Sequence, residues 1–268
     1  MSVWEALILG IVQGVCEFLP ISSSGHLLLL QKLMGISESS GGPFFSVMLH
    51  VATLVAVIIV YRKRVWALVR HPVQKLMGYL IVATVPTVLI ALLFKVDPFE
   101  TFYNNAEGGS YLGVCFLVTT ILLLLCDWAA TYVENKRKLG KMTWRDSLII
   151  GGMQCLGVLP GVSRSGSTIS GAMFAGLDRK AAADFSFLMS IPAILGGMVL
   201  EVKDVIEVGS IGVDIGTLLV GMIAAGVTGY FAVRLMLKLI TGHKLWGFAV
   251  YTGVLGIITI ILQLLGKI

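Results

Sequence analysis

The chain has 268 residues, of which 57% are hydrophobic and only 13% charged, and its mean hydropathy is +0.93. A soluble domain carries about 25% charge, so composition excludes a soluble globular protein and indicates a polytopic membrane protein. The net charge of +5 says little about nucleic acid, because it reports topology and contact with anionic lipid headgroups.

Taken in chain order, the sequence opens Met-Ser-Val-Trp-Glu-Ala-Leu with no Lys or Arg ahead of its apolar run, unlike a signal peptide, and the first segment is expected to stay in the protein. Residues 4–36 are interrupted by Pro20-Ile-Ser-Ser-Ser-Gly-His26, and residues 147–177 by Pro160-Gly-Val-Ser-Arg-Ser-Gly-Ser-Thr168. Each proline removes a backbone donor and disfavours helix just before it. Ser and Gly then permit tight turns that expose peptide N–H groups. Each segment is predicted to be a re-entrant helical hairpin with its tip at mid-membrane, because irregular backbone survives there only under protein or beside a cavity. Spans of roughly 20 apolar residues are predicted at 44–61, 76–94, 111–130, 184–201, 215–236 and 246–265. A transmembrane barrel would alternate polarity over about ten residues, and no such pattern is present. The expectation is a single all-α integral membrane domain over 1–268, with about six transmembrane helices plus two re-entrant hairpins.

Basic residues fix the orientation. Arg62, Lys63, Arg64, Arg70 and Lys75 fill one loop and Lys136, Arg137, Lys138, Lys141 and Arg145 another. Arg179, Lys180, Arg234, Lys238 and Lys244 belong to the same side, which the positive-inside rule makes cytoplasmic. The acidic loops at 95–110 and 202–214 then face out.

An internal repeat links the two polar runs. Leu7-Ile-Leu-Gly-Ile-Val-Gln13 matches Leu148-Ile-Ile-Gly-Gly-Met-Gln154 at an offset of 141, Phe18-Leu-Pro20 matches Val158-Leu-Pro160, Ser24-Gly25 matches Ser165-Gly166, and Phe45-Ser46 matches Phe185-Ser186. The chain reads as repeats over about 1–135 and 140–268. The span at 44–61 runs inward to a basic end, whereas 184–201 starts at Arg179-Lys180 and runs outward, so the repeats are inverted. Inverted repeats with broken helices place a binding site near the midplane between them.

Helices beginning near His26 and Thr168 aim free N–H groups and positive dipole ends at the tips, a setting for an anion. Arg164 adds a planar fork matched to phosphate oxygens. Ser22, Ser23, Ser24, Ser163, Ser165, Ser167 and Thr168 supply hydroxyls, and Glu17 and His26 the carboxylate and imidazole of acid–base work. A charge at mid-bilayer costs about 2.5 to 3.5 kcal/mol, so Glu17, His26 and Arg164 are expected to be one another's partners. A lipid phosphate or diphosphate is the fitting ligand. Gln13 and Gln154 occupy equivalent positions and suit a hydrogen bond between the tips as well as substrate contact. His50 and Asp127 are solitary and read as helix packing. Cys16, Cys115, Cys126 and Cys155 lie singly in apolar sequence, as small buried hydrophobes rather than a disulfide or zinc set. Gly196-Gly197 and the glycines of 221–229 read as close helix packing.

Gln13-Gly-Val-Cys-Glu17-Phe-Leu-Pro-Ile-Ser-Ser-Ser-Gly-His26 together with Pro160-Gly-Val-Ser-Arg-Ser-Gly-Ser-Thr168 resembles the signature pair of bacterial undecaprenyl-diphosphate phosphatases of the bacitracin-resistance type, over essentially the whole chain. The resemblance implies hydrolysis of undecaprenyl diphosphate to undecaprenyl phosphate, recycling the lipid carrier of cell-wall synthesis. It further implies an inner-membrane, multi-pass protein whose site opens outward, and a divalent cation, Mg2+ or Ca2+, with Glu17 a candidate ligand. The family's acidic motif is Glu or Gln, three residues, then Glu; here Gln13 stands first, so Glu17 alone supplies a carboxylate. By the same resemblance Glu17, Ser23, His26 and Arg164 are catalytic, and Ser163, Ser165, Thr168, Ser24 and Gln13 hold substrate. Ser23, His26 and an activated water remain alternative nucleophiles. A transporter or flippase for polyprenyl phosphate or a small anion is the competing reading of an inverted repeat. A homo-oligomer is compatible with either.

Overall fold

The structure, a computed structural model, describes residues 1–36, 42–133, 136–208, 213–242 and 244–268, with the side chains of 42–43 and 200–208 left aside. Among these residues it is helical without a named strand, as composition predicts. The first hairpin is α1 (Val3–Phe18) and α2 (Ser23–Leu33). Next come α3 (Gly42–Val60), α4 (Arg62–Arg70), α5 (Lys75–Leu93), α6 (Phe99–Glu107) and α7 (Leu112–Tyr132). The second hairpin is α8 (Trp144–Leu156) and α9 (Arg164–Phe174), followed by α10 (Arg179–Val208), α11 (Ile215–Gly242) and α12 (Trp246–Leu264).

Local chemistry sets both hairpins in the same way. Ser2 caps α1 and Thr143 caps α8, each in a reciprocal box with the acid three residues on, Glu5 and Asp146. Pro20 then ends α1 as expected, whereas α8 stops at Leu156 with Gly157 as its cap, ahead of Pro160. Ser22 and Ser163 restart them: each side-chain oxygen accepts from the glycine amide three residues later, Gly25 at 3.3 Å and Gly166 at 3.0 Å. Gly161, at φ +95°, takes the left-handed turn residue of the second tip. Ser22 holds φ 70° without being glycine, a strained position at the first tip.

Close backbone approach seats each entering helix. A methyl on Gly10 would stand 2.3 Å from the Gly221 carbonyl oxygen, and one on Gly151 2.3 Å from that of Ala83. Thus α1 packs along α11, and α8, its counterpart, along α5. In lipid such contacts hold by van der Waals packing of small residues, since acyl chains give no hydrophobic drive between helices. Phe18 and Phe187, both fully buried, meet edge to face at 5.7 Å beside the tips. Outside, Ile81, Leu89, Ile121, Ile223, Phe231 and Ile257 are exposed, a surface suited to acyl chains.

Five helices are long and apolar enough to cross a membrane, or up to six with the bent pair α3–α4, among the described residues. They match the six predicted spans, with three refinements. Helix α10 begins at Arg179 rather than 184 and continues to Val208. The loops after 61 and around 95–110 contain the short amphipathic helices α4 and α6, which the polar composition of those stretches disguised. Residues 209–212 of the expected acidic loop, and 134–135 at the repeat boundary, lie outside the described residues. Pro86 and Pro192 sit inside α5 and α10, as membrane helices tolerate.

Candidate active site

Both tips deliver side chains to one carboxylate. Glu17, on the last turn of α1, is buried and forms an ion pair with Arg164 at the start of α9 through Oε1. Its other oxygen, Oε2, accepts from Ser23 Oγ at 2.6 Å and from Gln13 Nε2 at 3.0 Å. The expected pairing of Glu17 with Arg164 is therefore present. Ser23 and Arg164 are each the first helical residue after a capping serine. One supplies a hydroxyl and the other a guanidinium to the same group.

Arg164 Nη2 is spent on Glu17, while Nη1 is buried with no hydrogen-bond partner. An orphaned buried donor is costly, and α9 adds first-turn amides that a helix cannot satisfy internally, of which Gly166 is capped by Ser163. Fork and amides together are a setting for phosphate oxygens.

His26 departs from expectation. Its Nδ1 lies 2.7 Å from the Ser22 carbonyl and its Nε2 2.7 Å from the Tyr251 hydroxyl. Those partners place the proton on Nδ1, since a carbonyl only accepts, so that Tyr251 donates to Nε2. The ring lies nearly parallel to Tyr251 and edge-on to Phe116. The imidazole beside Glu17 is instead His50, on α3, whose Nε2 is 3.6 Å from Glu17 Oε2 and whose Nδ1 lies 2.8 Å from the Ser46 carbonyl. Reading His50 as packing missed it. The available signal was an ionisable residue alone in an apolar span, which by default marks function. Tyr251, on α12, carried no such signal. Asp127 is not solitary: it pairs with Arg179 at 2.8 Å.

The remaining candidates mostly build the tips. Ser163 Oγ lies 3.2 Å from Ser165 Oγ, which donates across to the Leu19 carbonyl at 3.1 Å and so joins the two hairpins. Thr168 is fully buried, within 2.6 Å of Ser186 Oγ and donating to the Arg164 carbonyl at 2.9 Å. Ser167 donates to the Ser163 carbonyl at 2.8 Å. Ser24 is half-buried and 3.4 Å from Ser22 Oγ. Gln13 and Gln154 do not join the tips: Gln13 turns to Glu17, and Gln154 donates to Thr87 Oγ1 at 2.7 Å.

Residues 6–258, which include every one of these tip residues, match the sequence model of the family described as Bacitracin resistance protein BacA. The chain belongs to the BacA family. Undecaprenyl-diphosphatase of Carboxydothermus hydrogenoformans is 44% identical over 270 residues, covering 100% of both chains. The protein of the same name from Alkaliphilus metalliredigens is 42% identical over 284 residues, covering 99% of this chain and 100% of its own. Undecaprenyl-diphosphatase 4 of Bacillus thuringiensis subsp. konkukian is 42% identical over 263 residues, covering 98% of each.

The donor set of this BacA chain does not fit a preformed divalent-cation site. Among the described residues no three His, Cys, Asp or Glu groups gather as ligands. Glu17 already serves Arg164, Ser23 and Gln13, and a cation there would compete with a guanidinium.

Proposed function

We propose that this BacA-family protein hydrolyses undecaprenyl diphosphate to undecaprenyl phosphate and inorganic phosphate, the activity for which its relatives are named. One observation carries the reading: a buried carboxylate and a half-satisfied arginine meet between two helix starts, at the end of an interrupted membrane helix. A lipid diphosphate suits it because the prenyl tail can remain in the bilayer while the head reaches the tips.

The terminal phosphate seats on Arg164 and the free amides of α9, using Nη1 and drawing Nη2 away from Glu17. Ser23 Oγ, hydrogen-bonded to Glu17, attacks the terminal phosphorus while Glu17 takes its proton. The bond to the bridging oxygen breaks and undecaprenyl phosphate leaves. Water then cleaves the phosphoserine, releases inorganic phosphate and restores the hydroxyl. Arg164 and the amides stabilise charge on the transferring group, where catalysis of phosphoryl transfer chiefly lies. Ser163 and Ser165 keep the α9 tip in place against Leu19. His26, fixed by Tyr251, lines the first tip.

The protein works in the bacterial inner membrane, with the site opening outward and the two repeats, about 1–135 and 140–268, inserted in opposite senses. Twin capping boxes and twin glycine contacts support that reading of the repeats.

Phosphate release from undecaprenyl diphosphate by the purified protein in detergent tests the activity, since transport has no meaning without a sealed membrane. Arg164→Lys keeps a charge opposite Glu17 but loses the fork, and should lower kcat by about 10²-fold or more. Wild-type turnover in that variant would refute the assignment. Ser23→Ala should abolish the radiolabelled phosphoprotein trapped by rapid quench of wild type.

A further inference from the structure

Away from the catalytic tips, a recess of about 360 Å³ lies where α3 turns into α4 and meets α10 and α11, lined by Val60, Tyr61, Arg62, Lys63, Arg64, Lys180, Asp184 and Leu237. Its single acid is already engaged. Asp184 accepts from Tyr61 at 2.8 Å through one oxygen and pairs with Arg64 at 2.8 Å through the other. Arg62, Lys63 and Lys180 stay exposed and carry three positive charges with no carboxylate on them among the described residues. The depth of the recess is set by the backbone. Helix α4 leaves α3 at 88°, with Trp66 and Val69 exposed on it, a geometry that suits a helix lying at a membrane interface. Val60 and Leu237 are the aliphatic residues of its lining.

We propose that this recess binds the phosphate-bearing headgroup of an anionic membrane phospholipid, with the phosphate on Arg62, Lys63 and Lys180 and the glycerol end over Val60 and Leu237. Charge complementarity and headgroup depth select this occupant, and the surrounding leaflet supplies it. Each cation at such a surface contributes enough to change retention about fivefold.

The full-length protein is placed in nanodiscs of phosphatidylcholine with phosphatidylglycerol, extracted, and scored for bound lipid by native mass spectrometry. Wild type should retain phosphatidylglycerol preferentially. The Arg62→Gln, Lys63→Gln, Lys180→Gln triple variant should lose that preference by roughly a hundredfold, while phosphate release in detergent is unchanged. Because these heads are exposed, folding should survive; the Lys63→Gln, Lys180→Gln pair, losing roughly 25-fold, serves if it does not. Equal retention by variant and wild type overturns the proposal. So does an equal loss in Lys138→Gln, Lys141→Gln, Arg145→Gln, which would make the effect a diffuse surface charge.

Discussion

Tyr251→Phe separates two influences on His26. The variant keeps a ring nearly parallel to the imidazole but loses the hydroxyl 2.7 Å from Nε2. One neutral hydrogen bond is worth about 0.5 to 1.5 kcal/mol, so kcat should fall about tenfold or less. His26→Ala removes the imidazole itself, with its bonds to the Ser22 carbonyl and Tyr251, and should lower phosphate release further than Tyr251→Phe does. Equal losses in the two variants would mean that Tyr251 acts on substrate directly. Ser23 and Arg164 were legible because they stand in two unusual polar runs, and Glu17 because it is a charged residue in an apolar segment just ahead of the first. His50 and Tyr251 were not, because each is a single residue on an apolar helix brought to the tips by packing alone. Thr168 also belongs to a polar run, but the sequence does not show that helix geometry turns its hydroxyl back onto the Arg164 carbonyl and Ser186.

At the scale of elements, a polar clasp fixes the entry of α8, the helix that leads into the second tip. Asp146 receives two bonds from Arg137, at 2.9 and 2.8 Å, and one from the Thr143 amide at 2.7 Å. Burial raises its pKa, but these bonds outweigh it and hold the carboxyl below its ordinary value near 3.8. A carboxyl depressed on folding contributes stability that is complete above the unfolded value and is lost as pH falls through the folded one. Arg137 is partly exposed, so solvent screening limits the contribution to about 1 to 2 kcal/mol. Asp146→Asn should therefore unfold at lower temperature than wild type in detergent at pH 7, with the gap closing on acidification below the carboxylate range. A gap that stays constant with pH would sink the electrostatic account. The two hairpins could be read from proline and serine, whose backbone effects are local. The clasp could not, because Arg137 reaches Asp146 only after the turn at Leu139–Lys141 folds back.

For the whole molecule, the decisive quantity is which side each loop faces. Helix α6 carries the exposed Asn104 and follows α5, whereas exposed Lys138 precedes α8 among a cluster of cations. If basic loops are cytoplasmic, a membrane-impermeant maleimide should label Asn104→Cys in intact cells and Lys138→Cys only after permeabilisation. Of the native thiols, Cys16, Cys115 and Cys126 are buried, and the half-buried Cys155 is changed to Ser in the background. The same arrangement requires α1 to enter from the outer face and α8 from the inner. Cysteines placed beside their caps, Glu5→Cys and Arg145→Cys, should then divide in the same way. Labelling of both from one side would leave the tips' meeting intact but abolish the inversion. The duplicated capping boxes and glycine contacts would then have to arise from a parallel repeat, whose two tips enter from the same face. Labelling from opposite sides would instead mean that two helix starts reach the midplane from opposite faces and share one buried carboxylate between a hydroxyl and a guanidinium 141 positions apart.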